Sequence, residues 1–263
     1  MNIETNSFIL RLYFTSRKAF QKLIIFLNAC FIGFWLGILS RNNLYSIDSV
    51  YYDTEKQYTN DKYNLRGFWT WETRVIEKHF QSCKSLLVAG VGGGREVLAL
   101  RKMGYQTDGF ECNPNLAEFA NQFLKRQGFE TNIEVVMRDR CSTTNKLYDG
   151  LIIGWGAYML IQGRKHRIEF LKNMRKKTKY NAPILLSFFC HYQLRKYHYL
   201  IANIGNLFRV IFGRERIEPG DSLVPNYVHI FTKEEIAYEL NEAGFELTEY
   251  CTQGYGHAVG IAR

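Results

Sequence analysis

Proline is scarce in this chain of 263 residues, and closely spaced cysteines are absent. Four prolines and no run rich in Ser, Gly or Pro leave no obvious linker between domains. The six cysteines form no Cys-x-x-Cys pair, and the six histidines show no metal-ligand spacing. We therefore expect neither a disulfide framework nor a metal site, and scattered free cysteines suit a reducing cytoplasm.

The sequence also lacks an internal repeat, and its content of 46% hydrophobic and 22% charged residues excludes wholesale disorder. The net charge of +9 raises the question of an anionic partner. Much of the excess lies in residues 164–179, where Lys172, Arg175, Lys176 and Lys179 fall on the outer side of a predicted helix. Because no motif of a common DNA- or RNA-binding module is present, we interpret this as a solvated helix face and expect no nucleic-acid partner.

The longest apolar run is Leu23–Leu39, seventeen residues in which only Asn28 is strongly polar. It is shorter than the roughly 20 residues that usually span a bilayer, and it begins too late to resemble a cleavable signal peptide. We favour a buried or interfacial helix, or a pair of helices broken near Gly33 and Gly37, that lies over the rest of the protein. Peripheral membrane contact through residues 20–39 and a true span stay open, so the predicted localisation is cytoplasmic with membrane association as the alternative.

From Ser85 onward, short apolar strands alternate with amphipathic helices, which predicts a parallel sheet with crossover helices. The predicted strands are 85–89, 106–110, 132–137, 148–153 and 183–190, followed by a final hairpin of 246–251 and 257–262. We expect an α/β three-layer sandwich whose mostly parallel seven-stranded sheet ends in an antiparallel hairpin. The predicted domains are a helical segment and tyrosine-rich lid at 1–62 and an α/β domain at 63–263, with a helical insertion at about 192–230.

A glycine-rich turn follows the first predicted strand, with Gly90, Gly92 and Gly94 directly before a helix. Glycines let the backbone turn sharply and approach a ligand, and the N-terminus of the helix points its partial positive charge at the same place. The dinucleotide-binding spacing G-x-G-x-x-G would require a third glycine where Arg95 or Val97 stands. A dehydrogenase is therefore disfavoured.

Glu111 ends the second predicted strand, seventeen residues after Gly94. A carboxylate in that place can accept hydrogen bonds from both hydroxyls of a ribose, which favours an adenosine-containing ligand. The alternative is an acidic residue that only caps the helix that follows.

Two further motifs are Arg138-Asp139 after the third strand and Tyr148-Asp149 before the fourth. Together with the glycine turn and Glu111, they make the chain resemble the class I S-adenosylmethionine-dependent methyltransferases. The resemblance runs from about Tyr63 to the C-terminus and includes the final hairpin. It implies a Rossmann-like fold, S-adenosylmethionine as cofactor, and methyl transfer to an oxygen or nitrogen atom of a small molecule. One departure is Val88, because many relatives carry an acid there, which leaves open how the methionine amino group is held.

The resemblance also implies roles for individual residues. Gly90, Gly92 and Gly94 would pass under the methionine and ribose, and Glu111 would hold the ribose. Asp139 would meet the adenine amino group, with Arg140 or Cys141 supplying a backbone donor to the ring. Trp155 would lie where cofactor and acceptor meet, or would be a core aromatic at the edge of the sheet.

On the acceptor side, His229 and His191 are candidate general bases because imidazole titrates near neutral pH, although each could equally be a structural histidine. The remaining predicted pocket residues are Tyr158, Tyr227, Trp69 and Trp71 as apolar walls and Asp221 as a polar contact or turn residue. Alternatives to a small-molecule methyltransferase are an aminopropyl transferase, a membrane-associated enzyme with a lipid-linked acceptor, and a non-catalytic interaction module that retains the fold.

Overall fold

The computed structural model describes residues 8–130 and 132–263, and these fall into two units. The helical unit comprises the described residues 8–40 together with 194–223. The sheet unit comprises residues 41–193 and 224–263, so the predicted lid at 41–62 belongs to it. The first seven residues of the predicted N-terminal segment lie outside the described residues.

A seven-stranded sheet with the order β3-β2-β1-β4-β5-β9-β8 forms the centre of the sheet unit. Its strands are β1 (Ser85–Ala89), β2 (Gln106–Glu111), β3 (Ile133–Val135), β4 (Gly150–Ile153), β5 (Pro183–Ser187), β8 (Phe245–Cys251) and β9 (His257–Ala262); a further short strand of this unit is β7 (Tyr227–His229). Strands β1 to β5 pair in parallel, and β9 pairs antiparallel with both β5 and β8. The predicted mostly parallel sheet with an antiparallel end is confirmed.

Helices cover both faces of this sheet. They are α2 (Arg41–Thr54), α3 (Asp61–Asn64), α4 (Thr70–His79), α5 (Arg95–Lys102), α6 (Pro114–Arg126), α7 (Arg164–Arg175) and α9 (Lys233–Glu242). Successive residues of β1 face opposite sides, because Leu86 and Val88 join one buried apolar cluster while Leu87 and Ala89 join the other. The two clusters make the three-layer sandwich and bring the carboxyl ends of β1, β2 and β4 to one edge.

The helical unit contains α1 (Phe8–Ile38), α8 (Lys196–Ile211) and the short strand β6 (Asp221–Leu223). The predicted break near Gly33 and Gly37 is wrong, since α1 continues through both residues. Both glycines face α8: a Cβ atom added at Gly33 would lie 2.8 Å from the Ile201 carbonyl oxygen, and one at Gly37 would lie 2.8 Å from that of Gly205. The glycines therefore permit close helix packing, which a sequence pattern alone cannot distinguish from a helix break.

Candidate active site

The glycine turn connects the end of β1 to the start of α5. Gly90, Gly92 and Gly94 all have positive φ angles, of 69°, 56° and 101°, which explains why glycine occupies each position. Gly92 has no atom within 4 Å of where a Cβ would stand, whereas a Cβ at Gly94 would meet Phe123 at 3.4 Å. Gly90 and Gly92 line a partly open cavity, while Gly94 packs against α6.

Glu111, at the end of β2, lies at the floor of the same cavity. Its Oε2 accepts a hydrogen bond from the Gly92 backbone N–H at 2.8 Å. Its Oε1 accepts from the backbone N–H groups of Cys112 at 2.7 Å and Asn113 at 3.0 Å. Three backbone donors therefore fix this carboxylate next to the glycine turn.

Tyrosines of the predicted lid form another wall of this cavity. Tyr52 on α2 packs edge-on against Tyr58, and Tyr58 packs edge-on against Tyr63 on α3. Asn64 holds the lid by donating from Nδ2 to the carbonyl oxygen of Tyr58 at 2.9 Å. Burial raises the pKa values of Tyr52 and Tyr58 above the ordinary tyrosine value, so both hydroxyls are neutral at physiological pH.

A second, mostly apolar cavity shares Gly90, Arg138 and Ala157 with the first. Its other lining residues are Ala89, Phe110, Cys112, Val136, Met137, Ile153, Ile161 and Phe170. Met137 and Arg138, rather than the predicted residues 139–141, line it from the segment after β3. Asp139 instead lies 3.8 Å from the Arg41 guanidinium, and the Cys141 sulfur lies 3.4 Å from that of Met174.

Arg138 is an ionic link between this segment and the lid. Its guanidinium pairs with the buried Asp48 carboxylate of α2, and Asp48 also accepts a hydrogen bond from the Asn226 side chain. Burial lowers the pKa of Arg138 to about 10, so the side chain still carries its charge at neutral pH. The lid helix is thus tied to the sheet at the edge of the cavity.

A buried charge cluster lies at the first turn of α5. Arg95 donates to both carboxylate oxygens of Glu72, at 2.6 and 2.7 Å, and to Oε1 of Glu96 at 2.7 Å. Burial raises the pKa of the Glu72 carboxyl despite its hydrogen bonds from Arg95. Glu96 also accepts at Oε1 from the backbone N–H of Trp155, at 3.1 Å, and it lines the cavity of the glycine turn. Glu96, which the sequence analysis did not predict, therefore places a carboxylate in this cavity. Val88, the departure from the family pattern, has no carboxylate to offer.

Trp155 follows β4 and lines three cavities. Besides the cavity of the glycine turn, it lines an open aromatic groove with Trp69, Thr70, Trp71, Arg74, Gln253, Gly254 and Tyr255. It also lines an aromatic chamber whose other walls include Tyr51, Met159 and Phe189. Within the described residues, the buried indole N–H groups of Trp69 and Trp155 have no hydrogen-bond partner. Trp155, predicted to lie where cofactor and acceptor meet or to be a core aromatic, thus lies at the junction of three cavities, and Trp69 and Trp71 line one of them.

The remaining predicted acceptor-side residues lie outside these four cavities of the described chain. His229 is fully buried, and its Nε2 lies 3.7 Å from the Glu235 carboxylate. His191 donates its backbone N–H to Phe231 at 2.9 Å. Tyr158 is a core residue that donates to Glu239 at 2.5 Å, and Tyr227 is buried at the start of β7. Asp221 accepts from the backbone N–H of Glu218 at 2.9 Å in the helical unit.

Sequence reasoning thus missed Glu96, Arg138, Tyr52, Tyr58 and Tyr255 as cavity residues. A signal existed for Glu96, because an acid two positions after the last glycine falls in the first turn of the helix that starts there. The other four come from segments distant in sequence, and only the packing of the chain brings them to this edge of the sheet.

Comparison with known proteins defines the class. The structure is similar to an S-adenosylmethionine-dependent methyltransferase from Methanosarcina mazei, with a TM-score of 0.58 and 18% identity over 74% of this chain and 98% of that one. It is also similar to S-adenosylmethionine-bound CalS10, an amino pentose methyltransferase from Micromonospora echinaspora, with a TM-score of 0.54 and 11% identity over 83% and 96% of the two chains. The sugar N-methyltransferase KedS8 from Streptoalloteichus matches with a TM-score of 0.54 and 14% identity over 82% and 92%.

These similarities show the class I methyltransferase fold, and a family match identifies the chain as a methyltransferase that uses S-adenosylmethionine. No curated protein matches the sequence significantly. The model of the family described as tellurite resistance protein TehB matches residues 50–186, and the chain belongs to this family.

Proposed function

We propose that this enzyme transfers the methyl group of S-adenosylmethionine to a nitrogen or oxygen atom of a small molecule that lies against Trp155. The observation that carries the proposal is the position of Trp155, which is a wall of the cavity at the glycine turn and of both neighbouring aromatic cavities. A methyl donor on one side of this residue and an acceptor on the other can approach each other without crossing bulk solvent.

The cavity residues fit the parts of the cofactor. The space over Gly92 admits a ligand next to the backbone, and the carboxylate of Glu111 suits the two ribose hydroxyls. The apolar cavity beside Met137 suits a purine ring. Both recorded hydrogen bonds of Glu96 use Oε1, which leaves Oε2 for the cofactor's ammonium group. When bound, the cofactor supplies an electrophilic methyl group on a positively charged sulfur.

The lining residues favour an acceptor that needs no strong base. Burial raises the pKa values of Tyr52, Tyr58 and Tyr255, so these hydroxyls donate hydrogen bonds and do not remove protons near neutral pH. The candidate bases His191 and His229 lie outside the cavities described above. A neutral amine has a free lone pair, whereas an alcohol must lose its proton, so we rank an amine acceptor ahead of a hydroxyl.

Two other acceptors are worth testing against the amine. The family description names tellurite resistance, but the groove offers aromatic faces and one exposed arginine, Arg74, rather than several cations for an oxyanion. A lipid-linked acceptor is favoured by the apolar surface of α1, whose large side chains are widely exposed. An interaction module without turnover would bind the cofactor and methylate none of these.

Calorimetry with S-adenosylhomocysteine tests the cofactor part. We expect micromolar or tighter binding, and we expect Glu111→Ala to weaken it by at least ~1.5 kcal/mol because charged hydrogen bonds are lost. Glu118→Ala removes an exposed carboxylate from α6 and should bind like the parent. Binding of NAD without binding of the adenosyl compound would refute the proposal.

Transfer of a labelled methyl group to panels of amines, alcohols, tellurite and lipid extracts tests the acceptor part. We expect labelled product from an amine panel. Product from alcohols alone would reverse our ranking, and tight cofactor binding with no product from any panel would favour the interaction module.

A further inference from the structure

Helix α1 has apolar side chains exposed around its whole circumference. Every residue from Phe8 to Asn28 is exposed. Leu23, Ile24, Ile25, Phe26 and Leu27 are consecutive, and each is 49–56% exposed. Because consecutive helix residues are 100° apart, these five surround the helix axis. A protein partner that docks on one face would leave the other faces in water, whereas a fluid apolar medium covers all of them.

The C-terminal part of α1 is fixed within the helical unit. Ala29, Ile32 and Leu36 are buried, and the backbone of Gly33 approaches Gly205 of α8, where an added Cβ would lie 2.9 Å from the Gly33 carbonyl oxygen. Close helix contact through small residues is common between helices in lipid. Arg209 of α8 donates to the Leu36 carbonyl oxygen at 2.9 and 2.6 Å, which satisfies an acceptor at the end of α1. A removable leader has no need of such contacts.

The charge of the helical unit has one predominant sign. Helix α1 contains no Asp or Glu, and its four basic residues, Arg11, Arg17, Lys18 and Lys22, are all exposed. The described residues of the helical unit contain nine Lys or Arg and three Asp or Glu, a net charge of +6 out of the +9 of the whole chain. Basic side chains that adjoin an apolar helix complement the headgroups of anionic lipids.

We propose that the helical unit inserts α1 into a lipid bilayer that contains anionic headgroups. The uncharged stretch from Leu23 to Ile38 has sixteen residues, a helical length of about 24 Å; Lys22 directly precedes it, and Lys18 lies about one turn before Lys22. Length and hydropathy alone would suit a core helix equally well, but only 22% of the most apolar window of α1 is buried. This proposal does not depend on the acceptor, and cofactor binding remains a separate property of the sheet unit.

Flotation of the full-length protein with phosphatidylcholine vesicles, with and without phosphatidylglycerol, tests the insertion. We expect the protein to float with the anionic vesicles and to bind the neutral ones more weakly. Leu23→Gln/Phe26→Gln/Leu27→Gln should reduce binding to both at least tenfold because it removes exposed apolar surface. Lys18→Gln/Lys22→Gln should reduce binding to anionic vesicles about tenfold and change binding to neutral vesicles little.

A matched control replaces exposed apolar residues of the sheet unit, Met103→Gln/Leu147→Gln/Tyr180→Gln, and should float like the parent. S-adenosylhomocysteine affinity should be unchanged in all variants, which shows that the sheet unit of each is folded. Light scattering without vesicles tests the alternative that a second copy of the protein covers α1. A detergent-free protein that does not float, but forms oligomers that the Leu23/Phe26/Leu27 variant dissociates, would show that a second copy covers α1 and would overturn the proposal. Loss of residues 8–38 from the membrane-bound protein, measured by intact mass, would overturn it as well.

Discussion

The backbone N–H of Trp155 donates a hydrogen bond to Oε1 of Glu96 at 3.1 Å. This bond joins the segment after β4 to the first turn of α5, so that the aromatic wall and the carboxylate are held at one cavity. Arg95 binds the same oxygen and restrains the carboxylate from the other side. The arrangement gives Glu96 a defined position facing the place where we put the amino-acid part of the cofactor.

Glu96→Gln tests that assignment. We expect S-adenosylhomocysteine to bind about tenfold more weakly or worse, because a neutral amide replaces a charged acceptor for the ammonium group. The affinity for 5′-methylthioadenosine, which lacks the amino-acid part, should stay unchanged. Calorimetry with both ligands measures the difference, with Glu77→Gln on the exposed side of α4 as the control. Equal losses for the two ligands would mean that Glu96 maintains the shape of the cavity instead.

Gly93→Ala tests the contact between the glycine turn and the lid. A Cβ at Gly93 would lie 1.9 Å from the Tyr58 carbonyl oxygen, and Gly93 is not among the residues with positive φ, so the expected effect is steric. We expect about tenfold weaker binding of S-adenosylhomocysteine and faster amide exchange in residues 55–64, since overpacking displaces the lid.

Gly104→Ala is the matched control for this prediction. Gly104 has a φ of 93° and no atom within 4 Å of an added Cβ, so the substitution strains the backbone without a clash. We expect lower stability with unchanged affinity. If Gly93→Ala binds the ligand as the parent does, the lid is not held by this contact.

Trp71→Ala separates the acceptor groove from the cofactor cavity. Trp71 lines the groove but not the cavity of the glycine turn, and its ring stacks on His257 with centroids 4.6 Å apart. For an acceptor found in the panels, we expect KM to rise about tenfold with S-adenosylhomocysteine affinity unchanged, because an aromatic wall is lost. Trp71→Phe keeps an aromatic ring in the wall, so its KM should stay close to that of the parent. An unchanged KM would place the acceptor in the chamber beside Met159 and Phe189.

His229→Asn distinguishes a structural histidine from a general base. Burial opposes ionisation of Glu235, but the neighbouring His229 side chain, the backbone N–H of Thr232 and the charge of Arg164 lower the pKa of this carboxyl to about 2. Its folded pKa lies below the ordinary value of 4.5, so its stabilisation is complete above that pH and is lost as the pH falls toward 2. Without His229 the pKa rises, and we expect acid unfolding to begin at higher pH in circular dichroism.

The activity of the same variant supplies the second readout. A buried residue outside the cavities should leave kcat at neutral pH within a few-fold of the parent, whereas loss of a general base costs about 10²–10⁴-fold. In a Glu235→Gln background, His229→Asn should cause no further shift in acid stability, because no carboxyl is left there to titrate. A large loss of kcat with unchanged acid stability would restore His229 as the base.

Local patterns in the sequence were enough for the sheet, the glycine turn and Glu111. Strands of alternating burial, glycines at positive φ and an acid at the end of a strand depend on backbone conformation within a few residues, and each leaves a short-range pattern. Short-range patterns did not predict the course of α1, because glycines such as Gly33 and Gly37 can either break a helix or allow a second helix to pack closely against it.

Tertiary structure decided which side chains share the cavities. Trp69, Trp155 and Tyr255 come from distant segments and meet in one groove, while His229 is turned into the core beside Glu235. Residue type predicts what a side chain can do, but the direction in which it points depends on packing against elements far away in sequence. The sequence therefore determined the class of the enzyme and its glycine turn, and only the fold determined which aromatic residues line the neighbouring cavities and which histidines lie outside them.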